Sequence, residues 1–251
     1  MDIFTDLINE TNRLIDAANQ NKITLRVFGG LAIFWHSRSD LRFFKRDSPD
    51  IDFVVPQEDR HKLEPFFREA GYLPDKQFNL LNGAQRQIYY RDQAEELRVD
   101  ILVGDFEMCH KIPLHDRLQI DPVTIPLTEL LLSKAQIVQL NHKDALDIIS
   151  LLLNNDLGDD ADGKISLERI ESLCAQDWGL YKTTSINLER IMELLADTRL
   201  NLTAEERIII LERIRGIQKT FAKMPKSLAW QMRDKVGTRI RWYEEVEEVN
   251  R

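Results

Sequence analysis

The chain has little cysteine, no net positive charge and no long apolar run, and each absence excludes something. Of its 251 residues only Cys109 and Cys174 are cysteines. They do not form a pair at metal-ligand spacing, and two cysteines make no disulfide framework. Both are therefore expected as buried thiols in a reducing cytoplasm. The histidines His36, His61, His110, His115 and His142 show no ligand spacing. No apolar run approaches the length that spans a bilayer. The start, Met1-Asp2-Ile3-Phe4-Thr5-Asp6, lacks a basic region followed by an apolar stretch, so no signal peptide is expected. A net charge of -8 gives no global field toward nucleic acid, which leaves that role to a local basic patch. There is no internal repeat and no low-complexity tract. With 43% hydrophobic and 30% charged residues, the chain can bury the core of one or two soluble, cytoplasmic domains.

The periodicity changes along the chain. Residues 2–19 carry apolar side chains at helical spacing. Thr24 to Phe28 reads as a strand that stops at Gly29-Gly30, and Leu31 to His36 reads as the first turns of a helix. Asp50 to Val55 is a second strand, ended by Pro56. Gln57 to Ala70 is a helix with Gly71 at its C-cap. Phe78 to Leu81, Asn82-Gly83 and Gln85 to Arg91 have the pattern of a hairpin, and Leu97 to Val103 is a further strand. After Pro126 strand signals nearly vanish, and six helical stretches follow (127–140, 143–154, 166–174, 186–195, 203–222 and 225–248). The expected fold class is α+β, with an α/β domain over 1–125 and a helical domain over 126–251.

Three pieces of the first half carry chemistry. In a strand, residues i and i+2 point to one face, so Asp50 and Asp52 project together while Ile51 and Phe53 turn inward. Two carboxylates on one face repel, and a divalent cation is the natural compensation. Magnesium favours a few carboxylates together with phosphate oxygens and water. If the strand of Asp100 lies beside the first, a third carboxylate joins them, and two ions bridged this way can activate a hydroxyl and hold a leaving pyrophosphate. Gly29-Gly30, between a strand and a helix, lets backbone N–H groups approach phosphates closely. Arg38, Arg42, Lys45 and Arg46 crowd the intervening loop and could spread the phosphate charge. Each piece alone has a structural reading: a turn, a surface pair, or an ion-pair partner for Arg98 or Arg26. Jointly and in this order they favour a site for a nucleoside triphosphate and Mg2+.

The order glycine turn, Asp-hydrophobic-Asp-hydrophobic, then a third Asp on a later strand resembles the nucleotidyltransferase superfamily typified by DNA polymerase beta. The run Arg46-Asp47-Ser48-Pro49-Asp50-Ile51-Asp52-Phe53 is similar to that of the AbiEii group of abortive-infection and toxin-type nucleotidyltransferases. Pro126 to Lys134, followed by Lys143-Asp144-Ala145-Leu146-Asp147-Ile148, is similar to that family's lysine-bearing helix and its Arg-Asp-x-x-Asp-Leu helix. The resemblance covers about residues 24–152. It implies a nucleotidyltransferase-type mixed sheet flanked by helices and followed by a helical domain. It implies metal binding by Asp50, Asp52 and Asp100, phosphate contacts from Gly29, Gly30 and Ser48, and a triphosphate contact from Lys134. Asp147 would sit near the active site, deprotonating the acceptor or orienting Lys134, and Asp144 could fill the same position. The implied reaction moves a nucleoside monophosphate from an NTP to a hydroxyl on RNA, protein or a small molecule such as an antibiotic. A toxin-like protein could also have an antitoxin partner. A non-catalytic nucleotide-binding or docking module is the rival reading. Two departures stand out: nineteen residues, 31–49, separate Gly30 from Asp50, and Lys143 replaces arginine, losing bidentate bonding.

Other features favour structural readings. Asp160-Ala161-Asp162-Gly163 looks like the middle of a calcium loop, but the first and twelfth positions fall on Gly158 and Arg169, so an acidic loop with Ser166 capping the next helix is expected. Trp178 and Tyr181 are expected to pack one helix on another, with Gly179 making the bend. Thr203 to Arg241 holds ten Lys/Arg against four Asp/Glu, which could grip RNA but reads first as a solvated helix face.

Overall fold

A computed structural model describes residues 3–37, 41–43, 50–91 and 97–245. It shows an α+β protein with a mixed sheet flanked by helices and helices throughout the later half. The chain divides into two compact units. The first comprises Met1–Trp35, Phe44–Phe106 and Pro113–Pro126; the second comprises His36–Phe43, Glu107–Ile112 and Leu127–Arg251.

The first unit is built on a five-stranded sheet of order β1-β2-β5-β4-β3. Its strands are β1 (Arg26–Val27), β2 (Asp50–Val55), β3 (Tyr72–Pro74), β4 (Arg86–Arg91) and β5 (Arg98–Val103). Only β2 and β5 run parallel; β1–β2, β4–β5 and β3–β4 are antiparallel. Ile51, Phe53, Val54 and Val55 of β2 and Val99 and Ile101 of β5 are fully buried. Ile51, Phe53 and Val55 share one face of β2 and hold the central pair in register, because a slip of one residue would move them to the face that carries Asp50 and Asp52. The helices are α1 (Ile3–Gln20), α2 (Gly29–Trp35), α3 (Leu63–Glu69) and α4 (Lys76–Asn82). Phe67 stacks on Tyr89 at 4.5 Å between ring centres and meets Tyr72 edge-on, which fastens α3 to the outer strands.

The expected hairpin over 78–91 is not formed. Residues 76–82 are helical, and β4 pairs with β3 instead. Asp75 caps the helix by accepting from the Phe78 N–H. The Asn79 amide then takes the place of a strand partner, accepting from the Ile88 N–H at 2.7 Å and donating to its carbonyl at 3.1 Å. Gly83 has φ -62°, a helical value, where a two-residue hairpin turn would need a positive one.

The second unit contains α5 (Leu127–Ala135), α6 (His142–Asn154), α7 (Leu167–Gln176), α8 (Trp178–Leu194), α9 (Ala204–Lys223) and α10 (Leu228–Val236). α5 packs on α6, α6 on α9, and α7 on α8 and α9. Side-chain caps start five of them: Asn141, Ser166, Asp177, Thr203 and Ser227. Thr203 with Glu206 forms a full capping box. α8 begins at Trp178, well before the expected 186. The bend lies at Asp177, which ends α7 and caps α8, rather than at Gly179. Gly179 is needed for space, since a Cβ there would lie 2.5 Å from the Trp242 carbonyl. Tyr181 packs against Phe221 and Trp230, as aromatic helix-to-helix packing requires.

Candidate active site

The strand alternation works as its residues suggest. Asp50 and Asp52 are partly exposed, and Ile51 and Phe53 between and after them are fully buried, so the two carboxylates share the open face of β2. The parallel register sets Asp52 directly opposite Asp100, and Asp50 opposite Arg98. The condition that β5 lie beside β2 is therefore met. The glycine turn reaches the same place. The Phe28 N–H donates to the Asp52 carbonyl at 3.0 Å, and Gly29 follows with φ +67° at the start of α2. A Cβ at Gly29 would lie 2.5 Å from Asp52 Oδ2, so the backbone touches this carboxylate directly and only glycine fits. Gly30 is buried in the first turn of α2.

Asp100 is already answered. Arg86 on β4 grips it as a fork, with Nε to Oδ1 at 2.7 Å and Nη2 to Oδ2, and Arg98 adds Nη2 to Oδ2 at 2.8 Å. The Arg86 guanidinium is held charged above its ordinary range by this hydrogen bonding, against the opposing effect of burial, and the Asp100 and Asp52 charges add to it. Among the described residues no three carboxylates, imidazoles or thiolates converge closely enough to hold a metal ion as they stand. The residue types and their register suit a divalent cation; the side chains are arranged around guanidinium.

Lys134 of α5 and Asp144 and Asp147 of α6 form a second ionic group within the second unit. Lys134 Nζ lies 2.7 Å from Asp144 Oδ1 and 3.0 Å from Asp147 Oδ2. Burial works against the ammonium, but the charges of Asp147 and Asp144 outweigh it and raise the lysine above its ordinary value. An acid inside an apolar helical stretch wants a partner, and Lys134 is the partner of both. Asn141 completes the group: it caps α6 through the Asp144 N–H and donates to Asp144 Oδ2 at 2.7 Å.

Ser48, Arg38, Lys45 and Arg46 lie outside the described residues. Arg42 is bound through both terminal nitrogens to Glu206, at 3.1 and 2.6 Å. Arg26, named as a possible partner of Asp100, donates instead to the Leu118 and Leu25 carbonyls. Of the ten basic residues of 203–241, six (Arg215, Lys219, Lys223, Lys235, Arg239 and Arg241) are exposed, as a solvated face requires, and three of the half-buried ones bind backbone carbonyls. Arg207 donates to the Leu195, Asp197 and Leu200 carbonyls, Arg213 to those of Leu152 and Leu153, and Arg233 to those of Gly237 and Ile240. The residue missed by sequence reasoning is Arg86. Its place depends on β4 lying next to β5, a pairing that the expected hairpin of 78–81 with 85–91 did not include and whose register is invisible before folding.

No protein-family model and no curated protein matches the chain. Among solved structures it is similar to the solution structure of the antibiotic-resistance factor ANT(2'')-Ia, described as revealing substrate-regulated conformation dynamics. The identity is 17%, the match covers 77% of this chain and 96% of that one, and the TM-score is 0.39.

Proposed function

We propose that the protein is a metal-dependent nucleotidyltransferase that moves a nucleoside monophosphate from an NTP to a hydroxyl and releases pyrophosphate. The observation that carries this reading is the juxtaposition of Asp52 and Asp100 on adjacent parallel strands, with Asp50 on the same face and Gly29 against Asp52. In this reading Asp50 and Asp52 hold Mg2+, and Asp100 joins them once its arginines move away. Bound magnesium would supply charge neutralisation at the phosphates and a lower pKa for a coordinated hydroxyl. The chain's own part is positioning. Gly29 and Gly30 keep the phosphate side of the site free of side chains. Arg86 and Arg98 offer guanidinium forks of the kind that recognise phosphate. Both Asp100 oxygens are engaged by Arg86 and Arg98, so any role in taking the acceptor proton requires their release.

The finer assignment to an AbiEii-like, toxin-type enzyme is supported by the Ser48 run and by the Lys134 and Asp147 helices. In that assignment Ser48 and Lys134 contact the triphosphate, and Asp147 orients Lys134; the 3.0 Å ion pair supports the latter. RNA, protein or a small molecule are the acceptor classes, and an antitoxin is the implied protein partner. The arginine fork on Asp100 is the one observation favouring the rival, a nucleotide-binding module without transfer chemistry.

One assay separates them. The protein is incubated with each labelled NTP, Mg2+ and, in parallel, total RNA, total protein or a panel of hydroxyl-bearing antibiotics. Label transfer that falls by about a hundredfold or more in Asp52→Ala and Asp100→Asn is expected. Magnesium-dependent NTP binding without transfer to any acceptor would favour the module, and no such binding would end both readings.

A further inference from the structure

The assigned site has two guanidiniums bound to one of the carboxylates that its proposed chemistry gives to metal. Arg86 and Arg98 come from adjacent strands and meet on one carboxylate, Asp100, which stands in register with Asp52. Asp100 is nearly buried, with its side chain 11% exposed, while Arg86 and Arg98 keep 33% and 21% of theirs in solvent. Both Asp100 oxygens are engaged, and Oδ2 is shared between the two guanidiniums. Arg98 is not saturated by this: its Nε is buried and has no hydrogen-bond partner among the described residues. A buried donor left unmade costs about 1–3 kcal/mol, so the arrangement has donor capacity that a further acceptor would fill.

We propose that Arg86 and Arg98 are a built-in counter-ion that competes with divalent metal for Asp100 and exchanges it for the phosphates of the incoming nucleotide. The inference rests on the nucleotidyltransferase reading of this site. Its physical basis is mutual exclusion. A guanidinium fork and a dication seek the same two oxygens, and a cation beside a half-exposed site weakens the binding of another. Phosphate offers the arginines an acceptor of the same geometry and greater charge. A protein so built holds its third carboxylate away from metal until a phosphate-bearing ligand arrives.

The test uses the full chain with Mn2+ alone as probe, followed by the paramagnetic signal of the free ion. Arg86→Gln is expected to bind Mn2+ at least about tenfold more tightly than the wild type, with the gain shrinking at high salt. Arg86→Lys, which keeps charge but loses the fork, should fall between them. Arg91→Gln, on the same strand but paired with Glu10, controls for charge at a distance and should change the affinity less than about twofold. In EDTA, inorganic pyrophosphate should bind the wild type and weaken by about tenfold in Arg86→Gln. Arg98→Gln serves as the second variant should Arg86→Gln fail to fold by circular dichroism. Mn2+ bound by the wild type and lost in Asp52→Asn, with no gain in Arg86→Gln or an equal gain in Arg91→Gln, overturns the counter-ion and leaves the enzyme reading intact. Unchanged pyrophosphate binding overturns the exchange. No Mn2+ binding by any folded variant overturns both the inference and the reading it rests on.

Discussion

Two ionic groups of three side chains, one in each unit, are built oppositely. In the second unit a single cation, Lys134, sits between two acids, and all three side chains are nearly out of water, at 14%, 9% and 5% exposed. In the first, two cations close on one acid and remain partly wet. The first pattern cannot lose its cation without leaving two carboxylates buried and uncompensated. The second can lose one arginine and still be paired. A fixed strut between α5 and α6 therefore contrasts with an exchangeable pair on the sheet.

The contrast breaks most visibly at Lys134. Lys134→Met is expected to lower unfolding stability by about 3–5 kcal/mol, read as a shift of the urea midpoint at neutral pH. A loss no larger than that of a surface pair would place the two groups in one class. Arg86→Gln should cost about 1 kcal/mol or less in the same titration, since Asp100 keeps Arg98. A loss comparable to that of Lys134→Met would make the fork structural.

A further effect is one of pH, and it too separates the units. His110, in the second, is buried, with Nε2 2.8 Å from the Thr183 hydroxyl. Burial holds its pKa below 6.5, with Asp177 partly opposing. The unfolded chain thus binds the proton first, and stability is lost as the pH falls below 6.5 toward the depressed value, by at most about 1.4 kcal/mol per pH unit. Glu10, in the first unit, feels burial push its pKa upward, but its bonds to Arg13 and Tyr72 outweigh that and hold it below 4.5. Its contribution is present at neutral pH and is lost only as the pH falls below 4.5. Urea midpoints measured from pH 7 to 5 should therefore decline, and His110→Gln should flatten that slope. A slope unchanged in the variant would assign it elsewhere.

Local chemistry was readable where a residue acts through its own neighbourhood. The alternation Asp50-Ile51-Asp52-Phe53 states its own two faces, and Ser166 caps its helix as expected. Asn82-Gly83 misled because the deciding contact is Asn79 to Ile88, nine residues away and made by a side chain imitating a strand. The candidate site divides the same way. Arg98 could be named as a partner of Asp100 because i and i+2 share a strand face. Arg86 could not, because its place depends on the β4–β5 register, which is a property of the folded sheet. Lys134 and Asp147 could be named, but their pairing depends on how α5 meets α6.

The parallel pairing of β2 and β5 also has a meaning in time. Asp52 and Asp100 are forty-eight residues apart in the chain, yet direct neighbours across the sheet. Contacts of such separation must close a long loop before they gain anything, and parallel pairing is among the slower events in folding. During synthesis from the N-terminus, Asp50 and Asp52 emerge well before the strand that carries Asp100 and Arg98. The carboxylate cluster thus comes into being together with its own neutralising arginines, in one late step. A chain stopped before residue 98 would hold Asp50, Asp52 and Arg86, with neither the third acid nor Arg98.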